Sequence, residues 1–226
     1  KHHAVLAADH LKDMRKYGTA RMIQPSEQLG SMPIQNFRYP HRWEEGAAKI
    51  SGPAMAEKGL FLKSYFCGGC VIGCGKTVQV KEGPYRTSVG GGPEYETLNL
   101  LGANLLVDNV EAICLANELC NRYGIDTVET GSLAAFAMEA FQEGLITTGD
   151  TGGVALNWGD PDAMLELVRM IGERREVGAM LGQGYNYTLQ MLGPKAMDLA
   201  IQVKGLAIPA HDPRATKATG VTYATS

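Results

Sequence analysis

Three of the five cysteines of this 226-residue chain lie within one short stretch, CGGCVIGC, at positions 67–74. Cys67, Cys70 and Cys74 follow the spacing Cys-x2-Cys-x3-Cys, and glycines separate them. Glycine leaves the backbone free to bend its N–H groups toward the sulfur atoms. The pattern indicates a metal site or an iron–sulfur cluster, because cysteine thiolates at short offsets hold such clusters.

Other uses of three cysteines fit the sequence less well. A disulfide leaves one thiol over, and disulfides are rare in the intracellular setting that we expect for this chain. Structural zinc usually takes two closely spaced ligand pairs, and the sequence has no second Cys-x2-Cys and no His-x3-His. A nucleophilic cysteine needs a base, and the five histidines are all distant in sequence. A cluster remains, with its fourth ligand from a distant part of the chain.

The other two cysteines, Cys114 and Cys120, lie among Ile113, Leu115 and Leu119. This context is typical of packing inside a helical core. The residues alone leave open whether one of these thiols is the fourth ligand or whether that ligand lies outside the 226 residues.

The composition predicts a globular protein of one large or two small domains, since 45% of the residues are hydrophobic. The net charge is -3 and the charges are mixed in sign, so we expect neither nucleic acid nor a membrane surface as a partner. No apolar run approaches the roughly 20 residues of a membrane span, and no signal peptide is evident, which predicts a cytoplasmic protein. The two ends read as cuts within a longer chain.

The elements that must position the cysteines are mainly helical. Helical spacing predicts a first helix over 4–16 that ends at Gly18. Short helices are predicted over 43–50 and 52–58, whereas the prolines within 24–39 predict an extended or looping segment.

After the cysteines, the sequence predicts one β-hairpin with strands over 77–80 and 85–89. The turn lies at 82–84, and the glycines that follow at 90–92 form a hinge. At most this short hairpin is expected beside the helices.

The strongest helix signals lie in the second half of the chain. Asp108 and Glu111 have capping-box spacing, and the helix that they open ends at Gly124. Asp126 caps the next helix, so two helices meet at a tight corner. One further helix is predicted to open at Pro161, and two shorter elements are predicted over 181–192 and 197–203.

Four blocks of the sequence together resemble one family, the tungsten-containing aldehyde ferredoxin oxidoreductases. In order, they are CGGCVIGC, GGPEYETLNLLGANL, ANELCNRYGIDTVETG and VKGLAIPAHDPRATKATGVTYATS, and GSMPIQNF upstream is also similar. The resemblance implies a multihelical fragment of a larger multidomain oxidoreductase, corresponding to the domains after a pterin-binding β domain. It implies one helical domain over 1–145 and the start of another over 146–226.

The resemblance also implies roles for particular residues. Cys67, Cys70 and Cys74 match three ligands of a [4Fe-4S] cluster, whose fourth cysteine lies beyond Ser226 in the family. Glu96 matches the glutamate that serves as general acid or base beside the metal, with Glu94 as the rival.

The family's first Asp-x-x-Gly-Leu-Asp/Cys motif falls on residues 121–126. Asn121 and Asp126 would therefore contact the pterin, although Asn121 replaces an aspartate and loses its charge. Thr127 would lie close to the metal site.

The function implied is the oxidation of an aldehyde to a carboxylic acid at a tungsten or molybdenum bis-pterin, with electrons passed through the cluster to ferredoxin. Family members are often homodimers. The isolated 226 residues are expected to be inactive. Two alternatives remain: a catalytic subunit of the benzoyl-coenzyme A reductase type on the same scaffold, and a non-catalytic iron–sulfur electron-transfer module.

Overall fold

The structure, a computed structural model, describes residues 8–39 and 42–225. Part of the helix predicted over 4–16 lies outside these residues, and its remainder forms α1, Asp9–Tyr17. Gly18 ends α1 as predicted, with a φ of 67° that favours glycine. The mainly helical class is confirmed.

Within the described residues, the first part of the chain contains three further short helices. They are α2 (Ile23–Gln28), α3 (Glu44–Lys49) and α4 (Gly52–Glu57), with a 3-10 helix at Gly18–Met22. The helices predicted over 43–50 and 52–58 are confirmed. Helix α2 was missed because Pro25 lies early in it, where a missing N–H costs no hydrogen bond.

The predicted β-hairpin is wrong in its position. Strand β1 (Phe61–Tyr65) pairs antiparallel with β2 (Gly75–Val78), so the cysteines form the connection between these two strands. Strand β3 (Gly90–Gly91) completes the sheet on the other side of β2. The segment 85–89 is no strand, although Thr87 N–H donates to the Val80 carbonyl at 3.0 Å.

Three long helices and a short one build the core of the second part. They are α5 (Tyr95–Leu100), α6 (Val110–Tyr123), α7 (Thr127–Gln142) and α8 (Pro161–Glu173). A 3-10 helix at Ala103–Leu105 follows α5. Helix α7 is buried on nearly every side, which is typical of a central core helix.

The predicted ends of these helices are mostly confirmed. Gly124 ends α6, and Asp126 caps α7 by accepting from the backbone of Val128 and Glu129. Asp160 caps α8 in the same way. The predicted cap of α6 is wrong by one residue, since Asn109 rather than Asp108 accepts from the Ala112 N–H.

The chain after α8 consists of short elements. They are α9 (Val177–Leu181), α10 (Tyr185–Leu192), a 3-10 helix at Pro194–Leu199, β4 (Gln202–Val203), β5 (Leu206–Ala207), a 3-10 helix at Pro213–Ala215 and α11 (Lys217–Thr225). The single element predicted over 197–203 is divided between the end of the 3-10 helix and β4. The sequence Lys204-Gly205 turns a small hairpin between β4 and β5, with Gly205 at a φ of 85°.

Helices from both predicted domains pack together. Gly172 of α8 lies against the ring of Tyr123 on α6, where a Cβ atom would come within 2.3 Å of the ring. The domain boundary between 145 and 146 stays a prediction.

Across the described residues, no single helix has the length and apolar character needed to cross a membrane. One bent pair, Tyr95–Leu105 with Val110–Tyr123, passes that test together, with a bend of 119°.

Candidate functional site

The cysteine loop, residues 67–74, is a surface connection between β1 and β2. Cys67 is exposed, and Cys70 and Cys74 are partly exposed. The Cys70 N–H donates to the Cys67 carbonyl at 3.0 Å, which closes a tight turn. Gly69 and Gly73 have φ values of 72° and 63°, a conformation that favours glycine. The glycines are thus required by the shape of the loop.

The side chains of the loop suit a cluster in chemistry, but they are not gathered around one point. Within the described residues, no group of three or more His, Cys, Asp or Glu side chains could hold a metal ion. All five cysteines are free thiols. Three free, accessible thiols on one short loop are the donor type that iron–sulfur clusters take. The donor set therefore fits, and the assignment of Cys67, Cys70 and Cys74 stays a prediction.

Cys114 and Cys120 are packed inside the helical core. Cys114 is 2% exposed and Cys120 is fully buried, both within α6. Burial raises the pKa of each thiol to about 12. A thiol that stays protonated in an apolar core is a poor ligand. The packing interpretation of these two cysteines is the one that the structure favours.

Lys76 lies beneath the cysteine loop, 7% exposed. Its ammonium donates to the Gly73 carbonyl at 3.1 Å, to Ser64 Oγ at 2.7 Å and to the Arg15 carbonyl. Burial lowers the pKa of Lys76, and its electrostatic interactions with Cys74 and Glu94 act in the opposite direction. A single buried cation therefore joins the loop, β1 and α1. No pattern in the sequence predicts this role of Lys76.

The two rival glutamates face different surroundings. Glu94 precedes α5 and accepts from the Thr19 hydroxyl. Its charge acts on Lys76 and on Tyr65 of β1, so this carboxylate belongs to the cysteine side of the site.

Glu96, in the first turn of α5, faces the segment after β5. Its Oε2 atom accepts from the Ala210 N–H at 2.6 Å, and its Oε1 atom lies 3.3 Å from His211 Nε2. About a third of the Glu96 side chain is exposed (32%). A carboxylate with one oxygen fixed by the backbone and the other beside an imidazole can exchange protons with a bound molecule.

Tyr95 fixes the position of His211. The two rings stack at 5.2 Å between centroids, and the Tyr95 hydroxyl donates to the Ala210 carbonyl at 2.7 Å. Burial raises the pKa of Tyr95 to about 12, so the hydroxyl keeps its proton at neutral pH. His211 was not predicted as a site residue, because nothing near it in sequence indicates its partner.

The helix corner at 121–126 divides its residues between two places. The Thr127 hydroxyl lies 2.9 Å from that of Thr97, the residue after Glu96. Asp126 Oδ1 accepts both capping hydrogen bonds, at 2.6 and 3.1 Å. Asn121 is exposed and lines a separate cleft of about 390 Å³ between the end of α6 and β3. The structure thus brings Thr127 to Thr97, the neighbour of Glu96 in the chain, whereas Asn121 lines its own cleft.

The whole chain matches one protein family. A family model described as aldehyde ferredoxin oxidoreductase, domains 2 and 3, covers residues 1–226. The chain belongs to this family. The resemblance found in the sequence is thereby confirmed.

Individual members of the aldehyde ferredoxin oxidoreductase family are about one-third identical to the chain. A tungsten-containing aldehyde ferredoxin oxidoreductase of Thermococcus kodakarensis is 33% identical over 215 residues, which cover 93% of this chain and 34% of the relative. The corresponding Pyrococcus furiosus protein is 34% identical, with the same coverage. An aliphatic sulfonate oxidoreductase subunit of that organism is 32% identical over 87% of this chain and 32% of the relative.

One solved structure shows that the fold of this family is shared more widely. The active site complex BamBC of benzoyl coenzyme A reductase has a TM-score of 0.68 and 17% identity, covering 87% of this chain and 28% of that one. This likeness concerns the fold alone. The chain spans about one-third of the length of the curated family members that it matches.

Proposed function

We propose that this chain is part of a tungsten-pterin, iron–sulfur enzyme that oxidises an aldehyde to a carboxylic acid. The overall change is RCHO + H2O to RCOOH + 2 H+ + 2 e-. One observation carries the proposal: the cysteine loop and the helix with Glu96 lie on one framework, joined through Glu94, Lys76 and the α1 region. A redox group bound to the loop and the proton-transferring carboxylate of Glu96 would therefore be held at a fixed distance from each other.

When bound, the tungsten or molybdenum pterin would take two electrons from the substrate, and the [4Fe-4S] cluster would pass them on singly. Glu96 would accept or release the proton of the aldehyde hydrate at Oε1, the oxygen that the Ala210 N–H leaves free. His211, at Nε2, would exchange that proton with solvent, since its side chain is 52% exposed.

The helix corner would contact the pterin. Asp126 uses Oδ1 for the cap of α7, and Oδ2 has no partner among the described residues, so one oxygen is available for a ligand. Thr127 would approach the metal site from its place beside Thr97. Asn121 would offer an amide in place of a carboxylate.

The cluster would take Cys67, Cys70 and Cys74 as ligands and a fourth cysteine from outside the chain. We further propose ferredoxin or a similar carrier as electron acceptor, a small aldehyde as substrate, a homodimer as the assembly and the cytoplasm as the location. The isolated chain would be inactive, because the pterin-binding domain and the fourth ligand would be missing.

The test is an anaerobic assay of the longer protein that contains this chain. Short aldehydes, an aromatic coenzyme A thioester and an alkanesulfonate are compared as substrates, with ferredoxin as acceptor for the oxidations and reduced ferredoxin as donor to the thioester. Aldehyde oxidation together with bound tungsten or molybdenum is the expected result. Turnover of only the thioester or the sulfonate would replace the aldehyde with that substrate class.

Iron content separates the proposal from the electron-transfer module without pterin. Cys67→Ser should remove most of about four irons per chain, whereas Cys120→Ser and Cys114→Ser should leave them in place. A cluster that forms in the isolated chain and is lost in the Cys120 or Cys114 variant would favour the module instead.

A further inference from the structure

Lys76 is an unusual residue for a buried position beneath the cysteine loop. Its side chain is buried, yet no carboxylate makes an ion pair with it in the part of the chain that the structure describes. Its hydrogen bonds go to neutral oxygens: Gly73 O at 3.1 Å, Ser64 Oγ at 2.7 Å and Arg15 O. A buried ammonium is costly unless it is well bonded, so the cation is held in place but its charge is not cancelled by contact.

The hydrogen bonds of Lys76 hold the loop as well as the charge. Gly73 lies between Cys70 and Cys74, and its carbonyl is one of the three acceptors. Gly73 has a φ of 63°, and the Phe66 ring occupies the place that a Cβ atom would take. The backbone conformation at this position is therefore tightly restricted. Lys76 therefore fixes the backbone from which the last cysteine of the loop projects.

We propose that Lys76 positions the cysteine loop for its cluster and raises the reduction potential of that cluster. The inference rests on the proposed function, in which Cys67, Cys70 and Cys74 hold the cluster. One-electron reduction adds a negative charge to the cluster on this loop, and the Lys76 ammonium beneath the loop, which has no ion pair among the described residues, stabilises the reduced state. Potentials of iron–sulfur clusters respond to local charge and hydrogen bonding in this way.

The experiment measures cluster potential by electron paramagnetic resonance in the longer protein, poised with dithionite and dyes. Lys76→Met should shift the equilibrium toward the oxidised cluster on the order of tenfold. For a one-electron couple, this corresponds to a reduction potential about 59 mV more negative. Lys76→Arg should keep most of the potential. Lys63→Met is the matched control. Lys63 is an exposed lysine on the same hairpin, so its replacement should leave the reduction potential of the cluster unchanged.

Ser64→Asp tests the charge without removing the lysine. Ser64 is exposed and its Oγ lies 2.7 Å from Lys76 Nζ, so an aspartate there would pair with the ammonium. The potential should fall in the same direction as in Lys76→Met. Loss of iron in Lys76→Met but not in Lys63→Met would support the positioning role. The potential measured in Ser64→Asp would then decide whether the charge of Lys76 raises the reduction potential.

Two failures are distinguishable. A wild-type protein that contains no iron–sulfur signal contradicts the proposed function itself. A wild-type protein that has the signal, with a normal potential in both Lys76→Met and Ser64→Asp, overturns the role of Lys76 alone.

Discussion

The Oε1 atom of Glu96 lies 3.3 Å from Nε2 of His211, while the other carboxylate oxygen accepts the Ala210 N–H at 2.6 Å. Among the described residues Glu94 has no such neighbour, and its carboxylate accepts from the Thr19 hydroxyl. Only two residues apart, the two glutamates therefore differ in chemistry. Glu96 has a partner that can carry a proton away, whereas Glu94 helps to join α5 to the 3-10 helix after α1.

Glu96→Gln should lower kcat for aldehyde oxidation by about 10²–10⁴-fold, the usual effect of losing a general acid or base. The amide keeps an oxygen for the Ala210 N–H, so the fold should be retained. Glu94→Gln is the matched control and should lose much less activity. Anaerobic steady-state kinetics of the longer protein give the answer, and the opposite ranking of the two variants would assign the proton transfer to Glu94.

Asp126→Ala should destabilise the protein by about 1 kcal/mol, because Oδ1 caps α7 through the N–H groups of Val128 and Glu129. Asn121→Ala should change the free energy of unfolding far less, since that side chain is exposed. Urea denaturation of both variants measures the difference. Equal losses would contradict the view that Asp126 serves the fold and Asn121 does not.

Local signals in the sequence predicted the ends of the helices well. Gly124 and Asp126 act through hydrogen bonds within a few residues of themselves, so their types and spacing suffice. The cap of α6 was misplaced because Asp108 and Asn109 are both capping residues. In the structure, the Asp108 carboxylate lies 2.5 Å from the ammonium of Lys49, a residue distant in sequence, and Asn109 forms the cap.

Partners distant in sequence could not be predicted in the same way. In the sequence, two segments of strand-like composition flank β2: β1 before it and 85–89 after it. The composition of 85–89 favoured that segment as the partner of β2, whereas the structure pairs β2 with β1. The pairing of Glu96 with His211 and the burial of Lys76 under the loop likewise depend on tertiary packing, for which a single sequence carries no local pattern. The cysteine spacing, by contrast, could be found directly, because all three residues are in one loop.

Gly131→Ala should disturb the packing of α5 against α7. A Cβ atom at Gly131 would lie 2.7 Å from the carbonyl group of Leu100, and backbone cannot move aside as a side chain can. We expect a loss of roughly 1–3 kcal/mol, the usual cost of overpacking. Aldehyde oxidation should also fall, since α5 carries Glu96.

The control for that variant is Gly149→Ala, in an exposed turn where the nearest atom to a new Cβ is Thr147 Oγ1 at 3.4 Å. Its stability and activity should stay close to those of the wild type. Circular dichroism melting curves and kinetics of both variants test the packing, and a fully stable Gly131→Ala protein would show that the two helices can separate at little cost.

The buried thiols of α6 should make the protein lose stability in alkaline solution. The pKa of Cys114 and of Cys120 is raised from 9.0 to about 12 by burial. Below pH 9 the thiols are protonated in both states, and their contribution is fully present. Between pH 9 and 12 the unfolded chain releases these protons and the folded chain keeps them, so the free energy of unfolding falls as the pH rises, by up to about 1.4 kcal/mol per pH unit for each thiol.

The double variant Cys114→Ala/Cys120→Ala should therefore show a flatter decline than the wild type over this range, even if its stability at pH 8 is lower because two small cavities form. Cys67→Ser should keep the wild-type slope, since Cys67 is exposed. Urea unfolding of the cluster-free protein at several pH values gives these slopes. A double variant with the wild-type slope would mean that the two thiols are less protected from water than their packing in α6 indicates.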